Sequence, residues 1–114
     1  MDEQDIEALL KLWGNWARGA MEGQIRAPVL FRTPEASPDM MSDDFASVFD
    51  PAVASLRASE QVIFDTVRWR YVYRFPMRTI AEGQQRSLGA VYSDIATAKM
   101  YLLGYLRGLS ANAA

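Results

Sequence analysis

The chain contains neither cysteine nor histidine. Disulfides, thiol nucleophiles, Cys/His zinc sites and histidine acid–base chemistry are therefore closed to it, and only carboxylates remain as metal ligands. No apolar run approaches the roughly 20 residues that span a membrane. The start, MDEQDIE, is acidic where a secretory leader is basic. A cytoplasmic address with no membrane partner is expected. No strand-like alternation, internal repeat or low-complexity tract is visible, so the pattern reads as all-α.

What is present is 114 residues, half of them hydrophobic and 23% charged. That is the size and composition of one folded domain over residues 1–114, with room for a single core. The net charge of −2 hides a division: residues 1–56 hold four basic and ten acidic groups, residues 57–114 eight basic and four acidic, or −6 against +4. A basic C-terminal half suits a polyanion and an acidic N-terminal half suits something else. Helix surfaces that merely carry charge unevenly are the plainer explanation, and composition leaves both open.

Helical spacing organises most of the chain. Ile6, Leu9, Leu10, Trp13 and Ala17 form one face of a helix ending near Arg18, with Gly19 as its stop and Trp16 at the edge of the stripe. Pro28, Pro34 and Pro38 punctuate residues 20–42, which read as a long connection. A helix over 43–58 follows, capped by Ser42 and led by Asp43 and Asp44; Pro51 predicts a kink or a restart with Asp50 as cap. A further helix from Ser59 to about Arg74 should bury Ile63, Val67 and Tyr71 before Phe75-Pro76 ends it. A short helix over Met77–Glu82, a turn from Gly83 and a long last helix from Ser87 to about Leu109 complete the chain.

In the last helix Val91, Ile95, Ala98 and Leu102 share one face, and Ile80-Ala81 supplies the short helix with surface to pack across it. Two helices joined by a tight turn make a helix-turn-helix unit within residues 59–109. Leu88, Gly89, Tyr92 and Ser93 point away from the buried face and are candidate groove residues, flanked by Arg74, Arg78 and Arg86 as phosphate contacts and by Ser87 at the helix start. No arginine or glutamine stands ready for bidentate base reading, so direct readout should be modest. A helical hairpin with no nucleic-acid role has the same spacing.

The stretch PMRTIAEGQQRSLGAVYSDIATAKMYL resembles region 4 of bacterial sigma factors, the helix-turn-helix that reads a promoter element. It departs in the turn, where Gln84, Gln85 and Arg86 replace the usual apolar, glycine, apolar sequence. The N-terminal IEALLKLWGNWARG resembles the start of the phage antitermination protein Q family, in its lambdoid-phage class without a zinc site. The likeness continues at DDFASVFDPAVASLR, WRYVYRFPMRTIA and AKMYLLGYL and covers about residues 5–19 and 43–109.

The resemblance implies a late-gene antiterminator in the bacterial host cytoplasm. Such a protein binds double-stranded DNA beside a late promoter, engages RNA polymerase held by sigma factor at a pause, and narrows the RNA exit channel against terminator hairpins. Partners implied are DNA, bacterial RNA polymerase, sigma factor and nascent RNA, and no cofactor is implied; three tryptophans and five phenylalanines in so small a domain would, where left exposed, also support pairing with a second copy of the chain. Trp13, Trp16 and Arg18 are the candidate polymerase contacts. Rival readings are a promoter-binding regulator that never travels with polymerase, and a polymerase-binding inhibitor without DNA binding. An enzyme is not expected: the carboxylates of Asp2, Glu3, Asp5, Glu7, Asp43 and Asp44 are best read as favourable charge at helix N-termini.

Overall fold

Helix α1 spans Glu3–Glu22 and begins on a reciprocal cap, the Asp2 amide donating to the Asp5 carboxylate at 2.9 Å and the Asp5 amide to that of Asp2 at 3.1 Å. The computed structural model describes residues 1–22 and 39–113, so most of the expected connection lies outside the described residues. Gly19 does not stop α1. Its helical cost of about 1 kcal/mol is small beside the burial of the turns before it.

Helix α2, Asp43–Ser59, has the expected Ser42 cap, with the Phe45 amide 3.2 Å from the hydroxyl, and runs unbroken through Pro51. The restart is therefore corrected: Phe49, Ala52, Val53 and Leu56 bury one continuous face across the proline, and Asp50 serves another partner described below. Glu60, in an extended conformation, separates α2 from α3, Gln61–Val67. Instead of continuing regularly to Arg74, α3 widens into a π-helical turn over Arg68–Val72, closed by the Tyr73 amide on the Arg68 carbonyl at 3.2 Å. Arg74, with φ 59°, then turns the chain out of the helix.

Helix α4 covers Met77–Gln84 and α5 covers Leu88–Ala113. The turn begins later than expected. Gly83 is still helical, and a Cβ there would lie 2.9 Å from the Trp69 ring. Gln85, at φ 56°, takes the left-handed position; the Arg86 amide reaches the Ala81 carbonyl at 2.9 Å and the Gln85 amide that of Glu82 at 3.2 Å, the paired bonds of a Schellman cap. Ser87 then caps α5 through the Ala90 amide at 3.1 Å.

The described residues are all-α, with no strand among them. One apolar cluster joins α1, α2, α3 and α5 through Ile6, Leu10, Phe49, Val53, Val67 and Leu102. A smaller one, Ile80, Ala81 and Val91, fixes α4 across the start of α5 with Trp69 and Met77 against it.

Candidate nucleic-acid interface

Burying Val91, Ile95, Ala98 and Leu102 turns the opposite side of α5 to solvent. Leu88 is 39% and Tyr92 56% exposed, and Gly89 and Ser93 are exposed beside them. The sequence-derived groove residues thus share one surface at the start of the helix. Ser87 lies at its edge with its hydroxyl engaged as the cap. Arg78, on the first turn of α4, is exposed and its side chain makes no hydrogen bond or ion pair with the described residues.

The other two arginines are differently placed. Arg86 pairs with Asp94 through both nitrogens, at 2.5 and 3.2 Å, and also donates to Gln84 at 3.2 Å. Asp94 is only 8% exposed and accepts from the fully buried Thr66 hydroxyl at 3.0 Å. The hydrogen bond to Asp94 raises the Arg86 pKa further above its ordinary value, and the pair balances this charge against Asp94 while the Arg86 side chain stays 29% exposed. Arg74 donates to the Asn15 side-chain oxygen and lines a cleft of about 310 Å³ with Glu7, Lys11, Asn15, Arg70 and Tyr71.

The N-terminal candidates turn inward. Trp13 is 4% exposed and donates through its ring nitrogen to Asp50 at 3.0 Å; Trp16 is half-buried and donates to Asp43 at 2.9 Å. Arg18 donates to the Val72 carbonyl in the π-helical turn. Of the three candidate polymerase contacts, Trp13 is thus a core residue, while Trp16 and Arg18 are half-buried. An indole needs one acceptor when buried, and α2 supplies an acceptor to each.

A profile of the family described as Phage antitermination protein Q matches residues 3–113. The chain belongs to this family. No curated protein and no solved structure matches it.

Within this Q-family chain, two residues of WGNWARG were missed as important from sequence. A Cβ on Gly14 would collide with the Tyr71 backbone carbonyl, so α1 crosses the π-helical turn at a separation only glycine permits. Asn15 donates to the Asp39 carbonyl at 2.6 Å while accepting from Arg74, linking α1 to the chain on two sides. Glu7 was also missed beyond its helix-end charge: Lys99 approaches its carboxylate at 2.8 Å and the Tyr71 hydroxyl at 2.6 Å. Burial, then the Glu7 carboxylate, pushes the Tyr71 hydroxyl above its ordinary value. Among the described residues no three carboxylates converge as metal ligands, and no helix is long and apolar enough to cross a membrane.

Proposed function

We propose that this phage antiterminator acts on late genes. It binds double-stranded DNA beside a late promoter through the start of α5, and loads onto bacterial RNA polymerase held there by sigma factor. It then narrows the RNA exit channel so that nascent terminator hairpins do not form. The observation that carries the DNA-binding step is the exposed set Leu88, Gly89, Tyr92 and Ser93 on α5, with Arg78 exposed on α4 and unpaired among the described residues. α4 and a three-residue turn present this surface as a helix entering a major groove is presented. Leu88 offers apolar contact to a thymine methyl, Gly89 admits close approach, and Tyr92 and Ser93 supply hydroxyls to base edges or phosphates.

The charge division supports the same plan. The basic half faces nucleic acid and the acidic half meets polymerase, with WGNWARG holding the halves in register rather than making the contact itself. The deciding experiment is single-round transcription from a cognate late promoter through two tandem intrinsic terminators. Readthrough of both is expected. Normal termination with the protein footprinted on its DNA would leave a promoter-bound regulator and retire the antitermination reading.

A further inference from the structure

The end of α3 carries a second surface that the duplex-binding face does not use. Its sequence, Arg68-Trp69-Arg70-Tyr71-Val72-Tyr73-Arg74-Phe75, alternates cations with rings; Tyr71 and Arg74 turn toward α1, and Arg68, Trp69, Tyr73 and Phe75 form one connected shelf. The Arg57 and Arg68 guanidiniums each lie 5.8 Å from the centre of the Phe64 ring. Arg68 also lies 5.8 Å from the Tyr73 ring and donates to its hydroxyl at 3.1 Å. Tyr73 stacks on Phe75 with centroids 6.0 Å apart, and Phe75 meets the edge of Trp69 at 6.1 Å. Tyr73 and Phe75 are each 40% exposed.

Two features make this shelf unlike a packed core edge. First, its rings are oriented by one another and by arginines, and Tyr73 and Phe75 stay exposed while Phe64 packs against the core. Second, Arg57, Arg68, Arg70, Arg74 and Arg78 have no carboxylate partner among the described residues, although Arg57 and Arg68 crowd the same ring. Like charges held together without an anion leave a site whose electrostatics an external polyanion completes.

We infer that this shelf binds single-stranded nucleic acid by stacking unpaired bases on the exposed Tyr73 and Phe75 rings and holding the backbone with Arg57 and Arg68, which Phe64 orients from beneath. The chemistry selects the ligand. Bases of an intact duplex are stacked on each other and present no free face, whereas every unpaired base does, which makes aromatic platforms sequence-tolerant readers of single strands. An acidic peptide would satisfy the arginines but offers no succession of planar groups for the rings. The shelf stands independently of duplex binding, since none of its residues lies on the exposed start of α5.

The test measures binding of the full chain to fluorescent oligouridylate, oligodeoxythymidylate, an abasic strand of equal length and a duplex. Both base-bearing single strands are expected to bind at least tenfold more tightly than the abasic strand. Tyr73→Ala with Phe75→Ala should remove that advantage, as should Tyr73→Leu with Phe75→Leu, which keeps apolar volume but not the flat faces. Duplex affinity should stay within about twofold in both variants. Preference for oligouridylate assigns a transcript as ligand, and equal or greater affinity for oligodeoxythymidylate assigns a melted DNA strand; either supports the inference. Equal binding of the abasic strand, or unchanged oligonucleotide affinity in the leucine variant, overturns it. So does a variant that loses only retention on RNA polymerase, which would make the shelf a protein contact. Failure of duplex binding alone counts against the function proposed above and leaves the shelf intact.

Discussion

Gly14 and Gly89 both sit in helices, yet their surroundings are opposite. Gly14 faces the backbone of the π-helical turn with no room for a methyl group, while at Gly89 an added Cβ meets only the Ser87 hydroxyl oxygen, at 4.0 Å. Gly14→Ala should cost about 2–3 kcal/mol by overpacking and lower the thermal midpoint followed by circular dichroism. Gly89→Ala should stabilise by up to about 1 kcal/mol and at the same time weaken duplex binding, if close approach is what that glycine provides. A weakened fold in the second variant would contradict the open setting. Glu7 gives a pH signature. Burial pulls its carboxyl upward, but hydrogen bonds from Lys99 and Tyr71 and the charges of Lys99 and Lys11 outweigh this and hold it below the ordinary 4.5. The unfolded chain therefore takes up the proton first as pH falls, so Glu7's stabilisation is complete above about pH 4.5 and is lost through its lower folded value. Urea midpoints at about pH 6 and about pH 3 should differ more for the parent chain than for Glu7→Gln. The WGNWARG motif was legible as a motif, but its work was not. An indole serves equally as an anchor or as a clasp, and the acceptor that decides between them for Trp13 stands 37 positions away.

At the scale of elements, the two arginines beside the α4–α5 turn separate recognition from architecture. Arg78→Ala should leave the melting temperature unchanged and reduce the salt slope of duplex binding by about one unit, as loss of one phosphate contact does. Arg86→Ala should instead destabilise the protein by about 1–3 kcal/mol, because it leaves the Asp94 carboxylate nearly buried with one partner fewer. Equal melting temperatures for the two variants would show that the Arg86–Asp94 pair does not hold the turn. The helices themselves were readable because apolar residues at a 3.6-residue period identify a buried face without knowledge of its partner: Val91, Ile95, Ala98 and Leu102 are all buried as their spacing implied. What escaped was set by tertiary context. Pro51 stays helical because both flanks are packed, and Gln85 accepts the left-handed turn position because Gly83 is already committed against Trp69. The π-helical turn leaves no period of its own in five residues.

For the whole molecule, the division of apolar contacts into a large and a small cluster sets an order of stability. The small cluster holds α4 with few buried side chains, so amides of residues 80–83 should exchange with solvent before those of residues 95–103, where α5 lies against the main core. Hydrogen exchange followed by mass spectrometry or NMR checks this, and uniform protection along both stretches would mean that the clusters open together. The π-helical turn lies between these parts in sequence, and α5 itself spans them, with Val91 in the small cluster and Ile95, Ala98 and Leu102 in the main one. Each residue of a regular helix advances its faces by about 100°. Deleting one residue from Arg68–Val72 would let the widened turn close into a regular one with little net rotation, because a π-helical turn holds its extra residue in its greater width. The helices would keep their packing, since α5 lies directly on the main core, but the spacing of Arg68, Trp69 and Tyr73 within the shelf would change. The extra residue thus sets the spacing of the shelf, and Gly14, with no room for a methyl group beside the Tyr71 backbone, lets α1 lie close against the widened turn.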